Sequence, residues 1–126
     1  MKKTLILFFL IIINLTLAKE NIINKHSINV TAESRNDYIL TGSDNNGIVN
    51  GNDPELTFKI GSSLDFIINA QGHPFYLKLK AGIGKKNQIA EIENNGVAKG
   101  TISWIPSKAG TYYYQCSLHN DMYGTI

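Results

Sequence analysis

The sequence predicts an all-β fold, an antiparallel β-sandwich of seven to eight short strands. Short runs of β-branched and aromatic residues recur along the chain, and clusters of Gly, Asn, Asp and Ser separate them. Gly and Asn also interrupt every window that is long enough for an amphipathic helix. Short strands with regular turn signals and no helical pattern are typical of a sandwich.

The strand-like runs can be followed in chain order. Ile28 and Val30 alternate with polar neighbours in the first run, and residues 56–60 alternate in the same way. Residues 41–54 are dense in Gly, Asn and Asp, which predicts a long loop, and residues 82–96 form a polar connection. The complete set of predicted strands is 28–30, 38–40, 56–60, 64–70, 75–79, 101–105, 111–116 and 123–126.

Residues 1–18 have the three parts of a secretory signal peptide. Lys2 and Lys3 supply the basic start, residues 5–13 the apolar middle, and Thr16-Leu17-Ala18 the small-residue exit. An uncleaved anchor is the alternative, but the apolar run is shorter than the roughly 20 residues that span a membrane. We therefore expect cleavage after Ala18, export to a periplasm or out of the cell, and no membrane span in the mature chain.

The mature chain is expected to hold a flexible leader, residues 19–26, and one domain, residues 27–126. The full chain carries 12 Lys plus Arg against 10 Asp plus Glu, a net charge of +2. Two of the lysines leave with the signal peptide, so the mature chain has 10 of each and a net charge of zero. Nucleic-acid-binding domains normally carry a basic stripe, so this balance gives no support for a nucleic-acid partner.

Cys116 is the one cysteine of the chain, so a monomer contains no disulfide. A free thiol outside the cytoplasm is exposed to oxidation. Such a thiol is usually buried, paired with a second chain, or bound to a metal. We expect a monomer, and the residues near Cys116 then decide between burial and metal binding.

Cys116, His119 and Met122 are spaced three residues apart at the end of a predicted strand. A strand that ends at Cys116 would present its thiolate, and one tight loop would bring His119 and Met122 round the same point. His73, between two predicted strands, supplies a second imidazole, and it precedes Pro74, which favours extended geometry. Two imidazoles, a thiolate and a weak axial thioether form the trigonal site of blue copper.

Each of these residues has an ordinary structural explanation when it is taken alone. Cys116 is then a small buried hydrophobe, His73 a strand-end histidine, His119 a surface residue and Met122 a core filler. The combination of four suitable ligands in one exported chain with a single cysteine favours a copper site. His26 lies in the leader without such neighbours, and we do not expect it to bind metal.

With these residues, the sequence resembles the cupredoxins, the family that contains plastocyanin, pseudoazurin and amicyanin. The resemblance spans residues 27–126. Its most specific segments are Gly-His-Pro-Phe-Tyr at 72–76 and Tyr-Tyr-Tyr-Gln-Cys-Ser-Leu-His at 112–119. It implies a Greek-key β-sandwich with one copper ion, a type 1 site, near one end and a role in electron transfer.

Residue by residue, the resemblance assigns the strong copper ligands to His73, Cys116 and His119 and the axial position to Met122. The Cys-x2-His-x2-Met spacing is similar to that of amicyanin, since plastocyanin has two further residues before its methionine. Pro74 departs from the family, because plastocyanin and its relatives often have Asn there. Proline lacks the N–H that would otherwise donate to the ligand sulfur.

Other functions would use part of the same residue set. A copper carrier or storage protein without a redox role needs the same ligands and stays open, although the chain has no repeated Met or His clusters. A multicopper oxidase or nitrite reductase domain needs His-x-His pairs, a binuclear copper site needs a second Cys, and a structural zinc site avoids Met. We therefore expect a protein that is not an enzyme.

The expected partners are redox proteins that dock transiently. A group of lysines that lie close together in sequence is either a docking patch for an acidic redox protein or a solvated edge of the sheet. These lysines are Lys78, Lys80, Lys85 and Lys86.

Overall fold

The computed structural model describes residues 23–126, so the predicted signal peptide and residues 19–22 of the leader lie outside the described residues. The prediction of an all-β sandwich with seven to eight strands is confirmed, because this part of the chain forms eight strands in two sheets. No helix within residues 23–126 has the length and apolar character needed to cross a membrane. The strands are β1 (Lys25–Thr31), β2 (Ile39–Asp44), β3 (Gly47–Asn52), β4 (Ser63–Asn69), β5 (Phe75–Lys78), β6 (Lys99–Trp104), β7 (Tyr113–Cys116) and β8 (Tyr123–Thr125).

The sheets have the strand orders β3-β2-β1-β4-β6 and β5-β7-β8. Neighbouring strands pair antiparallel, as the sequence predicted, except for β1 and β4. These two run parallel, with Lys25 opposite Ser63 and Thr31 opposite Asn69. A parallel pair needs a crossover connection, and here the β2–β3 hairpin together with residues 53–62 provides it.

Residues 41–54 form most of a β-hairpin, so the prediction of a long loop is wrong. β2 and β3 pair as far as Asp44 opposite Gly47, which leaves a two-residue turn at Asn45 and Asn46. Asn and Gly are the residues that such turns prefer. The Asp44 carboxylate accepts the Asn46 N–H at 2.9 Å and so holds the turn. The turn-forming composition therefore marked the hairpin's turn rather than the absence of strands.

Two other boundaries differ from the sequence prediction. Residues 56–60 alternate as a strand would, but they form no strand, and the Thr57 N–H donates instead to the Asp44 carboxylate at 2.9 Å. β1 begins at Lys25, inside the predicted leader, because its first residue pairs with Ser63 of β4. Both boundaries depend on partners that are distant in sequence.

The core lies between the two sheets and extends to the end of the molecule where β7 finishes. The Phe75 ring stacks on Tyr114 at 5.5 Å and meets the Tyr38 ring edge-on at 5.1 Å. Full burial of a side chain such as Phe75 stabilises the fold by about 1.5–3 kcal/mol. Cys116 and Met122 belong to the same buried cluster. The core therefore forms a packed wall beneath the loop that follows β7.

Candidate metal centre

The small sheet brings the start of β5 and the end of β7 side by side. Phe75, the first residue of β5, pairs with Cys116, the last residue of β7. His73 lies two residues before β5, so the pairing of the strands places it near Cys116. His119 comes from the loop that joins β7 to β8. Three of the four predicted ligands therefore meet at one end of the sandwich.

The side chains of His73, Cys116 and His119 converge on one point. Their potential ligand atoms all lie within 4.8 Å of one another. The Cys116 Sγ is 3.5 Å from the Nδ1 of His119 and 3.9 Å from the Nδ1 of His73. An imidazole nitrogen and a thiolate sulfur that share one ion, at about 2.0 and about 2.3 Å from it, are about 3.5–3.9 Å apart for ligand angles of about 110–130°. The observed spacing therefore fits one metal ion held by all three residues.

Met122 lies in the same loop, which folds back onto Cys116. The Cys116 N–H donates to the Met122 carbonyl at 2.9 Å, and the Met122 N–H donates to the His119 carbonyl at 3.2 Å. The Met122 side chain is fully buried in the cluster that contains Cys116. The tight loop thus places Met122 beside the site, and its role as axial ligand stays a prediction.

Tyr38, which no sequence pattern singled out, supports the backbone of His73. Its hydroxyl donates to the carbonyl of His73 at 2.9 Å and also lies 3.1 Å from the carbonyl of Pro74. The His73 N–H donates to the Ala70 carbonyl at 2.9 Å, so both main-chain polar groups of this residue are held. Tyr38 and His73 are 35 positions apart in sequence. A contact of that range leaves no local pattern to find.

Gln115 is the second site residue that the sequence reasoning missed. It is fully buried, and it immediately precedes Cys116 in β7. A local signal was available, because Gln115 is the one amide side chain in the segment Tyr112-Tyr113-Tyr114-Gln115-Cys116. Buried amides are normally hydrogen-bonded, so such a residue indicates specific partners.

The surroundings keep two groups near Cys116 in their neutral forms. Burial, and after it the nearby His119 ring, lowers the pKa of His73 below its ordinary value. Burial, and after it the nearby Cys116, raises the pKa of Tyr38 above its ordinary value. At neutral pH, His73 is therefore a neutral imidazole, the form that binds metals, and Tyr38 remains a hydrogen-bond donor. The Cys116 thiol has to lose its proton before it can bind a metal.

His26 lies outside this group of ligands. It belongs to β1, its Nδ1 is 3.4 Å from the Ser43 hydroxyl, and its ring centroid is 5.3 Å from that of Phe58. The group of residues that can hold a metal consists of His73, Cys116 and His119. His26 therefore offers a reference histidine that is independent of the site.

Lys78 is not part of an exposed lysine patch, which corrects one of the two interpretations of the lysines. Its side chain is 1% exposed, and its Nζ donates to the carbonyls of Gly82 at 2.6 Å and Gly84 at 3.0 Å. Burial lowers the pKa of Lys78 below its ordinary value. The lysines that remain exposed in the following loop are Lys80, Lys85 and Lys86.

The chain matches none of the family models, curated proteins or solved structures with which it was compared. The described residues form an all-β sandwich in which a buried thiol and two half-buried imidazoles can hold a metal ion.

Proposed function

We propose that this protein is an exported blue-copper protein that carries single electrons between redox partners. It would hold one copper ion in a type 1 site, with His73, Cys116 and His119 as strong ligands and Met122 as the axial ligand. The observation that carries the proposal is the position of the Cys116 Sγ, 3.5 and 3.9 Å from the two imidazole nitrogens. The resemblance to the cupredoxins supports the same assignment.

The donor set is the reason to propose copper. Imidazole nitrogen suits Cu(II), and sulfur ligands suit Cu(I), so a site with both types of donor serves both oxidation states. Structural zinc sites are closed sets of Cys and His, without a thioether. Copper in such a site supplies one-electron chemistry and leaves no position for a substrate. We therefore propose an electron carrier and not an enzyme.

The chain restrains each of the three strong donors through a different contact. The pairing of β7 with β5 holds Cys116, and Tyr38 together with Ala70 holds His73. The loop hydrogen bond from the Met122 N–H holds the His119 carbonyl. Donors that are held in place before the metal binds keep their geometry when its charge changes. That property suits rapid electron transfer.

The surface beside His119 supports docking of a redox protein. Leu118 is 61% exposed and Ile83 is 56% exposed. The Gly84 N–H donates to the Ser117 carbonyl at 2.8 Å, which brings the loops of these two residues together. An apolar centre with a basic rim fits a transient complex with an acidic redox protein. The lysines of that rim are Lys80, Lys85 and Lys86.

The test is a titration of the purified mature protein with Cu(II). We expect one copper per chain and an intense visible thiolate-to-copper band, which Cys116→Ser should abolish because the thiolate is its source. His26→Ala is the matched control, since His26 lies outside the group of ligands, and it should keep the band. A colourless adduct, or unchanged colour in Cys116→Ser, would falsify the site.

Voltammetry of the copper-loaded protein separates electron transfer from copper carriage. A reversible one-electron wave with copper retained in both states supports the redox role. Loss of copper on reduction contradicts it and favours the alternative of a copper carrier.

The mass of the exported protein tests removal of the signal peptide, and a chain that begins at Lys19 is the expected result. Recovery of the full-length chain in membranes alone contradicts the proposed cleavage.

A further inference from the structure

Gln115 occupies an unusual position for a buried polar side chain. Tyr114 and Cys116 point into the core, so Gln115 points to the opposite face of the small sheet, opposite Tyr76 of β5. It is nevertheless fully buried, because the connection after β5 covers that face. Its amide must find partners there, since an unpaired buried amide is costly.

The amide nitrogen of Gln115 faces four main-chain carbonyls of the loop that carries the proposed ligands. It is 2.9 Å from the carbonyl oxygens of Cys116 and His119. It is 3.4 Å from that of Asn120 and 3.3 Å from that of Met122. The amide has two hydrogens, so the two nearest carbonyls accept them and the other two face the same positive group. Three of the four carbonyls belong to proposed metal ligands.

The other end of the amide is tied to the connection that covers the sheet. The Gln115 Oε1 accepts the Gly82 N–H at 2.9 Å. The Gly82 carbonyl in turn accepts from the buried Lys78 Nζ at 2.6 Å. The Gly84 N–H donates to the Ser117 carbonyl at 2.8 Å, which gives the connection a second bond to the loop. Reversal of the amide would place its oxygen against four carbonyls, so the network defines a single orientation.

We propose that Gln115 is a positioning residue, which holds the loop from Cys116 to Met122 in its metal-binding arrangement before the metal arrives. The proposal rests on the proposed function in so far as this loop supplies the ligands His119 and Met122. Four carbonyls that converge on one point repel one another unless a donor lies between them. The Gln115 amide is that donor, and its link through Gly82 anchors it to the rest of the domain.

Two variants test the role of Gln115, and each removes a different part of the network. Gln115→Glu keeps the acceptor for Gly82 but turns an oxygen towards the four carbonyls. Gln115→Met has a similar length and removes both the donor and the acceptor. The matched control is Gln88→Glu, which adds the same charge at an exposed position of the same connection. All proteins are the full mature chain.

The first measurement is hydrogen exchange in the metal-free proteins. We expect the amides of Cys116 and Met122, which are hydrogen-bonded within the loop, to exchange about fivefold faster in both Gln115 variants, since one internal hydrogen bond contributes about 1 kcal/mol. Amides of β1 and β4 should keep their wild-type rates, and Gln88→Glu should resemble wild type throughout. Unchanged exchange in the loop overturns the proposal. Uniform acceleration in all strands also overturns it, since it would mean a general stabilising role.

The second measurement uses the copper-loaded proteins. We expect both Gln115 variants to release copper to a chelator about fivefold faster than wild type, for the same reason. Wild-type release rates in these variants overturn the proposal while leaving the copper site intact. If wild type itself binds no copper, the proposed function fails, and the hydrogen-exchange result still decides whether Gln115 holds the loop.

If a variant is recovered unfolded, Gln115→Asn replaces it. Asn keeps the amide group, but its side chain is shorter by one methylene, so the amide lies farther from the loop carbonyls. The same local acceleration is expected there, and wild-type exchange overturns the proposal.

Discussion

The hydroxyl of Tyr38 donates a hydrogen bond to the main-chain carbonyl of His73 at 2.9 Å. It also lies 3.1 Å from the carbonyl of Pro74, so one buried side chain holds two consecutive peptide groups. Tyr38 precedes β2 in the five-stranded sheet, and His73 precedes β5 in the three-stranded sheet. This contact therefore couples the position of a proposed ligand to the packing of one sheet on the other.

Tyr38→Phe should loosen His73 and weaken metal binding. The change leaves the His73 carbonyl without its donor, while the Pro74 carbonyl keeps the Ser117 N–H, so the free energy of unfolding should fall by about 1–3 kcal/mol. Copper affinity should fall as well, because His73 would no longer be held in place for the ligand set. Denaturant unfolding of the metal-free protein and competition with a copper chelator measure the two effects.

Tyr114→Phe is the control for Tyr38→Phe. The Tyr114 side chain is equally buried, and its hydroxyl donates at 2.6 Å to the Pro54 carbonyl, which is not adjacent to a ligand. Tyr114→Phe should lower the free energy of unfolding and leave copper affinity unchanged. Equal losses of copper affinity in the two variants would mean that general stability, and not the position of His73, explains the effect.

Met122→Gln should keep copper and lower the reduction potential. The axial ligand tunes the potential of such sites, and an amide oxygen is harder than a thioether sulfur, so it favours Cu(II). Voltammetry measures the shift. Leu118→Gln, an exposed position in the same loop, introduces the same amide and should change the potential far less. An upward shift or no shift in Met122→Gln means that Met122 is not the axial ligand.

Pro74→Asn should raise the reduction potential. An N–H at position 74 that reaches the Cys116 sulfur would draw charge from the thiolate and favour Cu(I). The contacts of the Pro74 carbonyl with Tyr38 and with the Ser117 N–H use the main chain, so the substitution can keep them. A bond that differs by about 1 kcal/mol between the two redox states corresponds to roughly 40 mV.

The control for Pro74→Asn is Pro106→Asn. Pro106 lines a cavity with Tyr112 and Ile126, at the end of the small sheet away from Cys116, so this variant should leave the potential unchanged. The visible band has to be intact in both variants before potentials are compared. With an intact band, a potential of Pro74→Asn that stays constant or falls contradicts the hydrogen-bond explanation.

Asp53 should make the stability of the metal-free protein depend on pH. Burial raises the pKa of Asp53 from 3.8 to about 6, even though the Tyr38 N–H and the Tyr123 N–H donate to it. The folded protein then binds this proton more tightly than the unfolded chain does. The contribution of Asp53 to stability should therefore decrease as the pH rises from 3.8 to about 6 and stay constant above that.

Asp53→Asn checks this dependence, because Asn does not titrate, can accept the Tyr38 N–H, and tolerates the positive φ of 42° at this position. Denaturant unfolding across the same pH range should show wild type losing stability relative to the variant as the pH rises. Glu55→Gln removes an exposed carboxyl nearby in sequence. This variant should lose stability relative to Asp53→Asn in the same way as wild type does. A constant difference between wild type and Asp53→Asn would contradict the raised pKa.

Much of the candidate site could be predicted from the sequence because its chemistry is local. Cys116, His119 and Met122 lie within one short loop, so their spacing shows that they can reach a common point. His73 could be added because its donor type completes the set, although the sequence holds no information on its distance from Cys116. That distance depends on the pairing of Phe75 with Cys116.

The residues that hold the ligands in place could not be predicted from local spacing in the sequence. Tyr38 acts across 35 positions, and the amide of Gln115 acts through the way a loop folds back on it. Lys78 shows the same limit, since four lysines close together in sequence do not reveal which one is buried. Lys78 is the buried one because its Nζ donates to the carbonyls of Gly82 and Gly84.

By itself, the sequence determined that this protein is an all-β sandwich and which side chains can bind a metal, because alternation, turn residues and ligand spacing are properties of short segments. The tertiary structure alone decided that β1 and β4 run parallel, that residues 41–54 form a hairpin, and that Tyr38 and Gln115 support the ligand loop. These features depend on which distant segments pack together. That choice is made by burial and hydrogen bonding over the whole domain, which no short segment contains.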